Sequence, residues 1–205
     1  MRITGGEFGG RNLKVPKSDA IRPTQDRVRE AVFNIIQFEV AGADFLDLFA
    51  GSGAVGLEAL SRGAKSVTFV EQNRRHLSVL QENLGSLGSH RVETEACGGV
   101  AADSKRRLQT LGDAKVIAAD AYRWISAYSG PGFSIGFADP PYALGEEKGY
   151  AQVLASLLAR NVIRPGGLFI AEMTAVQKAE ETPGWELVRD RVYGKTRICM
   201  WRREK

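Results

Sequence analysis

A chain of 205 residues that is 43% hydrophobic and 25% charged has the balance of one globular domain, large enough to bury about 70% of its unfolded surface without staples. Its net charge of +4 is a mild basic excess, compatible with a polyanionic partner and insufficient to define one. Cys97, Cys199, His76 and His90 show no metal-ligand spacing, no apolar stretch approaches the ~20 residues that cross a bilayer, and the first residues lack the apolar core of a secretion signal, so a reduced, cytoplasmic, metal-free monomer away from membranes is expected.

Residues 1–17 read as a β-ribbon, with Arg2-Ile3-Thr4 and Asn12-Leu13-Lys14-Val15 joined through a turn that contains Gly5, Gly6, Gly9 and Gly10. The ribbon has too little apolar surface to bury both faces, so it is expected to lie on the rest of the chain. Thr24 is the expected N-cap of a helix running to about Glu39. Val28, Ala31, Val32, Ile35 and Ile36 form its buried face, and Arg27, Arg29, Glu30 and Asn34 fall on the other. Basic residues crowd this region: Arg2, Arg11, Lys14, Lys17, Arg22, Arg27 and Arg29 face only Glu7, Asp19, Asp26 and Glu30, which suggests nucleic-acid contact. Arg197, Arg202, Arg203 and Lys205 at the other end read as a solvated face.

Strands and helices then alternate. Strands are expected at 45–48, 66–70, 116–119, 134–138 and 167–171, and helices at 53–62, 74–84, 122–128 and 150–161. The last two strands, about 185–192 and 196–201, flank Gly194-Lys195 and should pair antiparallel. This is the pattern of an α/β fold: a mostly parallel seven-stranded sheet covered by helices, with an antiparallel C-terminal hairpin. Residues 1–205 read as a single domain, with 1–40 an appendage on a core of 41–205. Gly85 to Asp113 fits worst, and an extra helix is expected there near Asp103 to Leu111.

Gly51, Gly53 and Gly56 form a G-x-G-x-x-G pattern between the first strand and its helix, and Glu71 ends the next strand. That arrangement marks a nucleoside-containing cofactor, with glycines allowing close backbone approach and the acid taking ribose hydroxyls. A pyrophosphate would want bare amides there. Asp47 instead puts a carboxylate beside the pocket, which suits the positive charges of S-adenosylmethionine. Asp120 ends the third strand with Ala121 after it, where a cofactor's adenine amine would lie; it could equally cap the following helix.

Asp139-Pro140-Pro141-Tyr142 follows the fourth strand. An exocyclic base amine is a poor nucleophile because its lone pair is delocalised. The Asp139 carboxylate and Pro140 carbonyl could accept both of its protons and aim the lone pair at a methyl donor, while Tyr142 offers a face for a flipped base.

The segments 47–64, 69–71 and 139–142 resemble class I methyltransferases that act on amino nitrogens, a Rossmann-like fold. Gly5-Gly6, Gly10-Arg11-Asn12-Leu13-Lys14-Val15-Pro16 and the run from Arg22-Pro23-Thr24-Gln25-Asp26-Arg27 to Asn34 narrow this: they are similar to the bacterial RsmD family, as is Arg191-Val192-Tyr193-Gly194-Lys195-Thr196. The resemblance implies methylation of guanine N2 in 16S ribosomal RNA within the small subunit. It implies Glu71 on the cofactor ribose, Asp120 on the adenine amine and Asp139 to Tyr142 on the target base. Arg11, Lys14, Arg22, Thr24, Arg27 and Arg29 are then the candidate RNA contacts. Gly85 to Asp113 departs from the family pattern by its length.

Four rivals use part of the same pattern. A DNA adenine-N6 methyltransferase would share Asp139-Pro140-Pro141-Tyr142, but no target-recognition domain is seen in the 205 residues, which weakens that reading. A methyltransferase of protein glutamine usually has Asn in place of Asp139. A nicotinamide-dependent oxidoreductase could use the glycine loop, yet no hydride-transfer acid is evident. A non-catalytic RNA-binding module would leave Asp139 and the cofactor loop without purpose.

Overall fold

In the computed structural model the first residues fold back on themselves: Arg2 bridges Asn12 antiparallel. The Ile3 N–H donates to Arg11 O at 3.0 Å and the Leu13 N–H to Met1 O at 2.9 Å. Ile3, Phe8 and Leu13 turn inward and are buried. The structure describes residues 1–16, 23–88, 92–96, 113–140 and 142–205. They form two units, Met1–Asp120 and Ala121–Lys205.

The first unit contains the ribbon and α1 (Pro23–Ile35), α2 (Gln37–Val40), β1 (Asp44–Leu48), α3 (Ala54–Ser61), β2 (Ser66–Glu71), α4 (Arg74–Ser86), β3 (Val92–Ala96) and β4 (Asp113–Ala118). Pro23 opens α1, where its fixed φ and missing N–H cost nothing, so Thr24 lies inside the first turn instead of capping it. The single helix expected to Glu39 is interrupted at Ile36, whose φ of −95° and ψ of 14° separate α1 from α2. Val28, Val32 and Ile36 are buried as expected, and Phe33 joins them, stacked on Phe45 at 6.2 Å. The strands run parallel in the order β3-β4-β2-β1. β3 is additional to the seven expected strands, all of which are present. The helix expected near Asp103 to Leu111 lies outside the described residues.

The second unit contains α5 (Ala121–Ala127), β5 (Phe133–Ala138), α6 (Tyr142–Ala159), β6 (Ile163–Thr174), β7 (Trp185–Tyr193) and β8 (Thr196–Arg203). β5 is buried along its whole length, as an apolar strand paired in parallel with a neighbour should be. β8 runs antiparallel to both β6 and β7, completing the expected hairpin. Its core is aromatic: Phe169 and Trp201 lie 6.3 Å apart between centroids, and Tyr150 stacks on Trp201 at 6.2 Å. The arginines expected to form a solvated face instead pin this hairpin. Arg197 bonds Asp190 at 2.8 Å, Arg202 donates to Gly166 O at 3.3 Å, and Arg203 reaches Ile163 O and, at 2.7 Å, Asn161 Oδ1. Among the described residues no helix is long and apolar enough to cross a membrane, and no group of His, Cys, Asp and Glu could hold a metal ion.

Candidate active site

The cofactor candidates of the first unit converge because three parallel strands end together. Leu48 of β1 pairs with Val70 of β2, and Glu71 pairs with Ala118 of β4. The glycine loop, Glu71 and Asp120 therefore leave the carboxyl ends of adjacent strands, the edge at which open α/β sheets bind ligands. A bond from the Ala119 N–H to Glu71 O at 3.1 Å ties the segment carrying Asp120 to the end of β2.

The glycines have separate physical jobs. Gly51 and Gly53 adopt φ of 56° and 83°, the left-handed region that side chains resist. A Cβ at Gly53 would also come 2.2 Å from Leu80 Cδ1, so α4 presses directly on the loop. A Cβ at Gly56 would come 2.2 Å from the Phe69 ring, so this glycine lets α3 lie close on β2. Among the described residues a Cβ at Gly51 would meet only Phe49 O, at 4.0 Å, so the space a side chain would have filled is open.

Two buried carboxylates brace the glycine loop. Glu71 accepts the Gly51 N–H at 2.8 Å on one oxygen and the Asn73 N–H at 2.7 Å on the other. A carboxylate has about four acceptor positions, so both oxygens of Glu71 keep capacity for a ribose diol. Asp47 is 2% exposed and accepts the Gly56 N–H at 2.8 Å. Burial pushes its carboxyl up to about 7, the Gly56 N–H opposes the rise, and the charge of Glu71 adds to it. Such a setting repels phosphate and favours a cation. The residues fit S-adenosylmethionine: the open glycine cradle leaves room for it, Glu71 could accept its ribose hydroxyls, and the negative charge suits its sulfonium and ammonium.

In the second unit, Asp139 and Pro140 follow the carboxyl end of β5. Asp139 is exposed to solvent and Pro140 is buried. α6 begins at Tyr142, earlier than the helix expected near Tyr150; Pro141 and the Tyr142 side chain lie outside the described residues. Tyr150 is buried and donates its hydroxyl to Glu172 O at 2.8 Å. Burial raises its pKa well above the phenol range, and the negative charge of Asp139 adds to the effect. Ala121 is the first, buried residue of α5, so only its backbone is available to a ligand.

The candidate RNA contacts divide. Arg11, Lys14 and Arg27 are exposed. Arg11 lies over the Phe8 ring at 4.8 Å, and Lys14 pairs with Glu82 at 2.8 Å, at the surface. Arg22 and the Thr24 side chain lie outside the described residues. Arg29 departs from expectation: it is 6% exposed and faces inward. Its guanidinium meets Asp26 at 3.0 Å and Glu58 at 3.5 Å and donates to Arg2 O, so its charge is neutralised inside the protein.

Two structural carriers of the site are not evident from the sequence. Glu58 is fully buried in α3, bonded to Thr4 and to Arg62 at 2.7 Å. Asn83 is buried in α4 and bonds both Lys14 and Ser52. Each is a polar residue in an apolar setting: Asn83 is in phase with Leu80 on α4, and Glu58 stands in the run Leu57-Glu58-Ala59-Leu60 of α3. That is the signal by which they could have been found, since buried polar groups need partners.

Strands β1, β2 and β4 around a glycine loop, with β8 reversed against β6, define a Rossmann-like class I methyltransferase fold. A methyltransferase-described protein of Escherichia coli, yhhF, superposes with a TM-score of 0.79 at 33% identity, over 100% of this chain and 98% of that one. The fold also matches SMU.776, solved with S-adenosylhomocysteine, with a TM-score of 0.63 at 16% identity, over 89% of this chain and 50% of that one. The family model described as conserved hypothetical protein 95 matches residues 1–117 and 100–202. Ribosomal RNA small subunit methyltransferase D of Escherichia coli is 34% identical over 100% of this chain and 90% of its own length. The chain belongs to the RsmD family.

Proposed function

We propose that this protein transfers the methyl group of S-adenosylmethionine to the exocyclic N2 of a guanine in 16S ribosomal RNA. The observation that carries the reading is the pair of buried carboxylates, Asp47 and Glu71, beside an open glycine cradle. It is supported by the similarity to Ribosomal RNA small subunit methyltransferase D over the full chain.

The cofactor supplies an electrophilic methyl group. Glu71 would hold its ribose, Asp47 would face its positive charge, and Asp120 with the Ala121 backbone would take its adenine. The Asp139 carboxylate and Pro140 carbonyl would accept hydrogen bonds from both N–H groups of the guanine amine, leaving its lone pair free to take the methyl group as the S–CH3 bond breaks and S-adenosylhomocysteine leaves. The methylated nitrogen is acidic while cationic, so its proton leaves to Asp139 or water without a strong base. Tyr142 would stack on the base, and Arg11, Lys14, Arg22, Thr24 and Arg27 would contact the RNA.

The test is to incubate the protein with labelled S-adenosylmethionine and small subunits that lack the modification. Label recovered as N2-methylguanosine supports the reading. Label confined to adenine of DNA would overturn it. Parallel incubation with protein-free 16S RNA distinguishes naked RNA from the assembled subunit as substrate.

A further inference from the structure

Asn83 carries a polar side chain on the apolar face of α4, in phase with Leu80, and is 2% exposed. Its Oδ1 accepts the Lys14 N–H at 2.8 Å and its Nδ2 donates to Lys14 O at 3.0 Å. The side-chain amide thus pairs with the ribbon backbone as a neighbouring strand would. The second proton of Nδ2 goes to Ser52 O at 2.9 Å, between Gly51 and Gly53. One buried planar group therefore holds the backbone of the ribbon and the backbone of the cofactor loop at once.

The ribbon is fastened again along α3. The Glu7 N–H donates to Ser61 O at 2.8 Å, the Phe8 N–H to Ser61 Oγ at 2.9 Å, and the Thr4 N–H to Glu58 at 2.7 Å. With both ends held, a shift at Lys14 cannot be absorbed by the ribbon swinging free. It passes through a group that has no rotatable bond between its oxygen and nitrogen. Simple packing does not account for Asn83: a leucine would fill the position without needing partners for three hydrogen bonds.

We infer that Asn83 is a positioning residue that couples the cofactor loop to the ribbon, so that a ligand on either one tightens binding at the other. This rests on the ribbon facing RNA, as proposed above. Seating a cofactor on the loop fixes Ser52, which fixes the amide plane of Asn83 and hence the Lys14 backbone, from which Lys14 and Arg11 project. Such coupling is reciprocal and commonly about 5- to 150-fold.

The experiment compares affinity for small subunits that lack the modification, with and without saturating S-adenosylhomocysteine, in the wild type, Asn83→Ala and Asn83→Asp. Asn83→Asp keeps the shape and the acceptor for Lys14 but loses both donors. The wild type is expected to bind the subunits at least about 5-fold tighter with S-adenosylhomocysteine, and both variants to bind each ligand with that ratio near one. Folded variants that keep the wild-type ratio, or a wild type with a ratio of one, would overturn the inference. Should both variants fail to fold, amide hydrogen exchange in the wild type decides: S-adenosylhomocysteine should slow exchange at Lys14, and an unchanged rate overturns the coupling. Calorimetric titration of the wild type with S-adenosylhomocysteine alone separates the two levels. No binding overturns the cofactor site and this inference together, whereas binding without coupling overturns this inference only.

Discussion

The carboxylate of Glu71, at the end of β2, accepts the N–H of Gly51 at 2.8 Å, bracing the glycine loop from the neighbouring strand. The same group accepts the Asn73 N–H at 2.7 Å, and His76 Nδ1 lies 3.8 Å from it, so it receives backbone donors from both sides of the strand end. Glu71→Gln would turn an NH2 group toward one of them. It would also remove the charge that strengthens bonds to ribose hydroxyls. Affinity for S-adenosylhomocysteine should fall about 10- to 100-fold, corresponding to one charged hydrogen bond of about 1.5–3 kcal/mol. Isothermal titration measures it, and an unchanged affinity would remove Glu71 from the cofactor site.

Asp47 makes the cofactor site sensitive to pH. Its folded pKa of about 7 lies above its unfolded value of ~3.9. Between these values the folded protein holds a proton that the unfolded chain has released, so this group's contribution to stability declines as pH rises from about 4 to about 7. Thermal melts of wild type and Asp47→Asn across that range should diverge, with the ligand-free wild type losing more stability on the alkaline side. A bound cation favours the carboxylate and lowers its pKa. The melting-temperature increase caused by S-adenosylmethionine should therefore grow between about pH 5.5 and 8 in the wild type and flatten in Asp47→Asn. Parallel curves for the two proteins would show that Asp47 does not face the cofactor's charge.

Much of this architecture is legible in the order of residues, and what is hidden is hidden for definite reasons. The apolar runs of β1, β2 and β5, the glycines between β1 and α3, and Glu71 ending β2 are local patterns with one physical meaning each. β3 is less legible because Val92-Glu93-Thr94-Glu95-Ala96 alternates polar and small residues, as befits a strand with one neighbour, and so resembles a loop. Helical spacing alone puts Arg29 on the outer face of α1. Its inward position depends on Glu58, twenty-nine residues away, which no local pattern announces. The arginines of β8 read as solvated for the same reason, since Asp190 and the carbonyls of Ile163 and Gly166 become their partners only after the hairpin closes on β6.

Asp139 tests the proposed chemistry apart from cofactor binding. It sits beyond β5, exposed, while its charge is felt by the buried Tyr150 hydroxyl. Asp139→Ala removes one of two acceptors for the amine protons, and single-turnover methyl transfer should fall about 10²- to 10³-fold, the usual loss for one preorganised hydrogen-bonding group. S-adenosylhomocysteine affinity should stay within about threefold. Asp139→Asn retains one acceptor oxygen but introduces a competing donor, so its rate should lie between those of wild type and alanine. If the alanine variant turned over at the wild-type rate, the amine would have to be held elsewhere.

Arg27 and Arg29 are two positions apart on α1, yet the structure separates their roles. Arg27 is exposed, where the proposed RNA would meet it. Arg27→Glu should leave the melting temperature within about a degree, since exposed substitutions usually change stability by no more than ~0.5 kcal/mol. It should weaken binding of 16S RNA and lower the slope of log affinity against log salt by about 0.7–0.9 for each phosphate that is no longer neutralised. Arg29 is held by Asp26, Glu58 and Arg2 O. Arg29→Ala leaves Glu58 buried with Arg62 as its remaining cation among the described residues, and breaking a buried pair costs roughly 3–5 kcal/mol. Because Arg62 and Thr4 still satisfy Glu58, the loss belongs at the lower end of that range. Denaturant melts of the two variants, set beside salt titrations of RNA binding, should thus give opposite profiles. If Arg29→Ala melted like the wild type and reduced the salt slope, the guanidinium would be contacting RNA after all, and the buried cluster beneath the ribbon would not be what holds the ribbon to α3.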